Sequence, residues 1–373
     1  MPRNVHRSDI NALVVCGAIP VYVNPGTNKQ LGIPLGMSVK DVEKAIKENP
    51  DAKAVLVNNP TYYGICSDIK SIVKLAHEHG MLVLADEAHG THLYFGEGLP
   101  CSAMAAGADM AGVSIHKTGG SLTQSSLLLC ADTVSEGYVR QIINLTQTTS
   151  GSYLLMVSLD LARKNLALNG KELFKKAVDY ADYAREEINK IGGYYAFGRE
   201  LENGDDIFAF DSTKLSVHTR AMGLAGVEVY DILRDDYDIQ IEFGDIGNIL
   251  AIVSAGDREL EIERFISALS EIKRLYSKDP SGMFDHEYIN PIVEIPPQQA
   301  FYSEKKSVPI EESNGMICGE FVMCYPPGIP ILAPGEKITS DILNYIAYCK
   351  EKGCFLTGTE DLEINNINVV VNS

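Results

Sequence analysis

The sequence predicts an α/β protein, with a mostly parallel sheet layered by helices and a smaller α+β part after it. Three observations carry that expectation. Short apolar runs alternate with amphipathic segments early in the chain, joined by brief polar turns. Polar, chemistry-bearing residues collect just past the ends of those runs, where ligands bind in open α/β sheets. Later the order changes to helix, strand, strand, helix.

The elements follow in order. Ser8 is placed to cap a helix over residues 10–16, and residues 18–23 read as a short buried strand. Ser38 caps a helix with Val39, Val42, Ala45 and Ile46 on one face, and Pro50 lies beyond its end. "AKAVLVNNPTYYG" is a strand and a polar turn, and "SDIKSIVKLAHEHG" is a helix stopped at Gly80. "MLVLADEAHG" is a strand ending on acidic and imidazole groups. A short helix, a strand over residues 110–115 and the strand "SSLLLC" follow. Residues 150–165 are helical, and "GKELFKKAVDYADYAREEINKIGG" reads as a second helix. Beyond it come a strand-like "DIFAFDSTKLSVHT", a helix "RAMGLAGVEVYDILRDDY", a hairpin over "DIQIEFGDIGNILAIVS" and a helix "DRELEIERFISALSEIKRLYS". A proline-rich arm then leads to "GMICGEFVMCYPPGIPILAPGEKI", the helix "SDILNYIAYCKEKG" and a terminal apolar run. At 373 residues the chain is long for a single core. Three blocks are expected: residues 1–165 as a large domain, 166–285 as a small α+β domain and 286–373 as a C-terminal region.

A formal net charge of -18 argues against nucleic acid and anionic membrane as partners and suits a cationic substrate. The eight cysteines form no CxxC pair and read as reduced thiols of a cytoplasmic protein. No apolar stretch has membrane-spanning length.

The strand ends carry Asn58-Asn59-Pro60, Asp86 to His89, and Ser114 to Lys117. A metal could use Asp86, His89 and His92, but the HExxH arrangement is missing and no cysteine joins them, so no metal is expected. A purely structural cluster is the second reading, since lysines at strand ends are usually solvated. The third is a covalent amine. Lys117 lies near the hydroxyls and amides of "TGGSLTQSS", which suit a phosphorylated aldehyde cofactor. Such a cofactor also needs an acid at its ring nitrogen, which Asp86 can supply, and a flat partner for its ring.

"VLADEAHGTH" followed by "SIHKTGGSLTQSS", with "PRNVHRS" before them and "YPPGIPILAPGE" after, resembles the ornithine/lysine/arginine decarboxylase family. These are pyridoxal 5'-phosphate (PLP) enzymes of the aspartate-aminotransferase fold, fold type I. The resemblance implies a fold type I large-domain sheet with a smaller C-terminal α+β domain. It implies that Lys117 holds PLP as a Schiff base and then moves protons, and that Asp86 pairs with the pyridine nitrogen. Ser114 and His116 would hold phosphate oxygens, His6 would stack on the ring, and Ala88 would pack on its other face. His89 would sit near the cofactor or the substrate carboxylate, and Glu320 would meet the substrate's distal cation. The implied activity is decarboxylation of a basic amino acid, with arginine ahead of lysine or ornithine, in polyamine biosynthesis or acid resistance. A homodimer is implied too, because active sites of this fold lie at a dimer interface.

The chain departs from the family at its start. The family carries a sizeable part before the "PRNVHRS" equivalent, with further phosphate contacts, and nothing here matches it. Three expectations follow: half of a split enzyme completed by a separate chain, a shortened reading frame, or a non-catalytic protein of this fold acting by association. An aminotransferase would use the same Asp86 and Lys117 pair.

Overall fold

The computed structural model describes residues 1–280, 291–324 and 328–371. Contacts divide the chain into two compact units that are interleaved along the sequence. The first comprises Met1–Pro2, Leu35–Ser216 and Ala251–Ser270; the second comprises Arg3–Pro34, Val217–Leu250 and Glu271–Ser373.

The first unit is built on a four-stranded sheet in chain order: β1 (Ala54–Asn58), β2 (Leu82–Asp86), β3 (Met110–Val113) and β4 (Leu127–Cys130). β1, β2 and β3 run parallel, and β4 closes one edge antiparallel. The parallel register sets Asn58 beside Asp86 and Asp86 beside Gly112, so three strand ends finish side by side. One helix precedes β1 and another joins β1 to β2. α1 (Val39–Glu48) begins at Ser38, whose Oγ accepts from the Asp41 amide at 3.1 Å. α2 (Ile69–Glu78) is capped by Asp68, which accepts from the Ser71 amide at 3.1 Å. α2 buries Ile69, Ile72, Val73 and Ala76 and packs on β1, β2 and α1. The apolar spacing of α2 thus becomes the face laid on the sheet, with α1 packed against α2.

Beyond β3 comes a four-residue helix, α3 (Ile115–Thr118), then α4 (Glu136–Thr146) and α5 (Tyr153–Ile191). α4 has no counterpart in the sequence reading, and none of its residues is buried. α5 joins the two expected helices into one of 39 residues. Gly170, the first residue of the second expected helix, lies inside it. A Cβ there would come within 2.7 Å of the Phe95 Cβ, so this glycine serves close packing rather than termination.

In the second unit a helix runs over Arg7–Cys16. Its cap is His6 rather than Ser8: the His6 Nδ1 accepts from the Ser8 amide at 3.3 Å. The strand expected over residues 18–23 does not form. Ile19 is 75% exposed, Val21 is 38% exposed, and only Val23 of that run is buried. Local apolarity alone could not supply the neighbouring strand that a ladder needs.

The expected helix Gly226–Tyr237 and the antiparallel hairpin of Phe243–Gly244 with Asn248–Ile252 are present. So is the helix Ser340–Glu351. The terminal run forms a strand, Asn366–Val370, paired antiparallel with Lys305–Pro309. A second small sheet sets Val322–Cys324 between Pro330–Leu332 and Leu356–Thr357. Val322, Leu332, Ile342, Ile346 and Val369 share its core.

The quoted start and end motifs meet in this unit. The Arg3 guanidinium grips the Glu336 carboxylate through two bonds, 2.6 and 2.8 Å, and donates to the Pro330 carbonyl at 3.1 Å. Residues 325–327 of the proline-rich signature, and residues 281–290 of the proline-rich arm, lie outside the described residues.

Candidate active site

The site is assembled where β2 and β3 end. The chain leaves β2 through Asp86, Glu87, Ala88 and His89, and leaves β3 through Ser114 into α3, which carries His116 and Lys117. Ladder bonds continue past β1 and β2: the Asn59 amide donates to the Asp86 carbonyl at 3.0 Å, and the Glu87 amide donates to the Gly112 carbonyl at 3.0 Å. The Asp86 carboxylate accepts from the Ala88 amide at 2.9 Å, which turns the chain sharply after β2. α3 is held by Thr91, whose hydroxyl donates to the Ser114 carbonyl at 3.0 Å.

These turns bring His89 and Lys117 together. The Lys117 Nζ lies 3.1 Å from the His89 Nε2. The Tyr62 ring lies against the His89 ring, centroids 4.2 Å apart, and 5.9 Å from the Lys117 Nζ. Burial pushes His89 well below the usual imidazole range, and the positive charges of Lys117 and Lys214 push it further. His89 is therefore neutral. Its Nδ1 is buried with no hydrogen-bond partner among the described residues.

The amide-rich side is formed by the segment after Lys117. A Cβ on Gly119 would meet Ile115 and Thr91 side-chain carbons at 2.8 Å, and Gly120 has φ +84°, so both positions favour glycine. The His116 Nδ1 donates to the Ser125 carbonyl at 2.9 Å, which fixes the ring. The Ser114 and Ser126 hydroxyls are 3.5 Å apart. Next to Gly119 and Gly120 opens an apolar groove of about 620 Å³, walled by Leu122, Leu154, Val157 and Leu161.

Of the residues singled out in the sequence, the structure brings Asp86, Ala88, His89, Ser114, His116 and Lys117 to these adjoining strand ends. His6 and Glu320 belong to the second unit. His6 caps its helix there. The Glu320 carboxylate accepts from the Asn368 amide at 2.7 Å, the Glu360 amide at 2.9 Å and the Asn368 Nδ2 at 3.2 Å. His92 is fully buried, with its Nε2 2.8 Å from Asp211. Among the described residues no group of three His, Cys, Asp or Glu is arranged to hold a metal ion.

Sequence reasoning missed Glu87, Tyr62 and the pair Asp211 and Lys214. Glu87 stands beside Asp86 yet points the other way, into the core, where it is completely buried. Tyr94 donates to its Oε2, and the Ala103 amide donates to its Oε1 at 2.8 Å. Burial pushes its carboxyl up to about 7, against those hydrogen bonds. The folded chain then holds a proton between pH 4.5 and 7 that the unfolded chain has lost. Stability contributed by Glu87 is present below that window and is lost as pH rises through it. Glu87→Gln is expected to stabilise the protein at pH 8 relative to pH 5 by about 3 kcal/mol against the parent. Urea unfolding at both pH values checks this, and a parent-to-variant difference that is the same at both would refute it.

With this geometry in hand, the comparisons with known proteins are informative. The family described as "Orn/Lys/Arg decarboxylase, major domain" matches residues 1–261, and "Orn/Lys/Arg decarboxylase, C-terminal domain" matches residues 281–361. The chain is similar to proteins named arginine decarboxylase. It is 45% identical to that of Halalkalibacterium halodurans over 99% of this chain and 76% of the relative, and 42% identical to that of Bacillus subtilis over the same shares. Among solved structures, the lysine decarboxylase of Francisella novicida superposes with a TM-score of 0.82 at 21% identity. That match covers 99% of this chain and 66% of the other, so the chain spans just under two thirds of that protein. A NifS-like protein matches with a TM-score of 0.56 at 16% identity, over 73% of each chain. The fold is that of the PLP-dependent transferases of fold type I. No helix among the described residues is long and apolar enough to cross a membrane. The two family matches and the 45% identity over nearly the whole chain establish that it belongs to the Orn/Lys/Arg decarboxylase family.

Proposed function

We propose that the chain carries out PLP-dependent decarboxylation of a basic amino acid, with arginine as the first candidate substrate. The observation that carries this reading is the Lys117 amine set 3.1 Å from a neutral, buried imidazole, at the strand end next to Asp86. The residues fit the cofactor. The unpartnered His89 Nδ1 offers a polar contact to a ligand, and the Lys117 amine keeps solvent access. Lys117 would hold the aldehyde carbon, and Asp86 would hold the ring nitrogen. Ser114, Ser126 and the amides of Gly119 and Gly120 would hold the phosphate. His116 donates its Nδ1 hydrogen to Ser125, so it can donate to a phosphate from Nε2 only as imidazolium. When bound, PLP supplies an electron-accepting ring for the bond to carbon dioxide.

The chain's own residues manage protons and orientation. His89, held neutral, can share one proton with the Lys117 amine at Nε2. Asp86 favours a protonated partner by plain electrostatics. Tyr62 fixes the His89 plane. The name of the arginine decarboxylase relatives supports arginine, and the net charge of -18 suits a cationic substrate. The Glu320 carboxylate already accepts three hydrogen bonds, so it would meet the substrate's distal cation through its remaining lone-pair capacity. His6 as the ring-stacking residue rests on the family resemblance. The eight free thiols support a reducing, cytoplasmic setting. The exposed row Leu154, Val157 and Leu161 supports association with a second copy of this chain.

The test is direct. The purified chain is incubated with PLP and carboxyl-labelled arginine, lysine or ornithine, and labelled carbon dioxide and amine are counted. Release fastest from arginine is expected. A keto acid without carbon dioxide would favour transamination. Bound PLP with neither product would favour a protein acting by association.

A further inference from the structure

The first unit holds a buried ionic cluster behind the site. Asp211 and Lys214 lie in and beside the turn before the strand Lys214–His218, far along the chain from Lys117. Both side chains are 0% exposed, and their charged atoms are 2.9 Å apart. Burying two charges is costly unless every bond is made. Here the bonds lead to the site. The Asp211 Oδ2 is 2.8 Å from the His92 Nε2, and the Thr213 hydroxyl donates to the Asp211 Oδ1 at 2.7 Å. The His92 Nδ1 lies 3.4 Å from the hydroxyl of Thr118, the residue after Lys117. The Lys214 Nζ donates to the His89 carbonyl at 3.4 Å.

We propose that Asp211, Lys214, His92 and Thr118 form a positioning network that fixes the orientation and local charge of the Lys117–His89 pair. The proposal rests on Lys117 and His89 being the working pair of the proposed decarboxylation, and it adds four residues that act through that pair. The hydrogen bonds run in one direction. Burial raises the Asp211 carboxyl, but the hydrogen bond from His92 and the charge and hydrogen bond of Lys214 outweigh it and hold it far below the usual range. Burial keeps His92 neutral. Its Nε2–H therefore donates to Asp211, and its Nδ1 accepts from Thr118. The cluster thereby anchors both sides: Thr118 on the helix of Lys117, and the backbone of His89. Its charges also face the site. Lys117 and Lys214 disfavour a charged His89, and Asp211 favours one. Asp211 and Lys214 nearly cancel, so the pair reads as neutral only while both are present.

The experiment follows Lys117 without turnover. The full chain, free of PLP, is treated with a limiting amine acylating reagent across pH, and modification of Lys117 is measured by mass spectrometry. Lys214→Met is expected to raise the midpoint by roughly 0.5–1 pH unit, and Asp211→Asn to lower it by a similar amount. The double replacement should return it to the parent value. Thr118→Val should change the Lys117 modification rate about tenfold, and Thr118→Ser should restore it. This second pair decides the matter if the charge variants fail to fold. Folded variants that keep both the midpoint and the rate of the parent would overturn the proposal. A common shift in both charge variants would mark general loosening and would also overturn it. Because no catalysis is read, failure of decarboxylation would sink the functional reading and leave this result standing on its own.

Discussion

Lys117→Ala is expected to leave the chain folded and unable to retain PLP covalently. Lys117 is exposed at the end of a four-residue helix, so truncating it removes little packing. What is lost is the amine 3.1 Å from His89. Decarboxylation should fall by at least about a thousandfold, the scale of losing both the covalent attachment and a positioned proton carrier. Absorbance in the visible after incubation with PLP and gel filtration reads the attachment, and near-ultraviolet circular dichroism reads the fold. A variant that still retains PLP covalently would place the attachment on another lysine. Lys214 also reaches the site through its bonds to Asp211 and the His89 carbonyl, but its side chain is completely buried.

The second large effect is on stability. Arg3 and Glu336 are 3% and 2% exposed and joined by two short bonds. Removing one partner leaves the other charge buried without its counterion. Glu336→Gln or Arg3→Met is expected to destabilise the protein by about 3–5 kcal/mol. Replacing both by apolar residues, Arg3→Met with Glu336→Leu, should recover most of that loss. Arg3→Lys should not recover it, because an ammonium cannot reproduce the two-pronged grip. Urea midpoints of the four variants give the result. Additive losses in the double variant would show that the two residues act separately.

This pair also explains why two distant motifs of the sequence belong together. "PRNVHRS" and "YPPGIPILAPGE" were legible as family marks, and their separation hid the contact between Arg3 and Glu336. The strand and helix pattern around β1, β2 and β3 was legible for a simpler reason. Val55 and Val57, or Val83 and Ala85, report their burial through local alternation. The apolar run at residues 18–23 shows the limit of that signal. It has strand-like composition, but it forms no strand, and Ile19 stays in solvent. Gly170 shows the converse. The glycine that opens the second expected helix sits inside one continuous helix, where it admits Phe95.

The site divides in the same way. Asp86, His89 and Lys117 could be singled out because each follows a strand signal and parallel strands end on one side of a sheet. Asp211 and Lys214 could not. "DSTK" is an ordinary polar turn until the fold carries it behind His92. Glu87 could not either, since adjacent residues at a strand end point to opposite sides. The family, the layered α/β pattern and the short motifs at the strand ends can be read along the chain, because periodicity and motif spacing are local properties. Which charges are buried, which imidazole nitrogen has no partner among the described residues and which residues stand behind the site emerge with the folded structure. Those depend on the path that brings distant segments into contact, and no local spacing encodes that path.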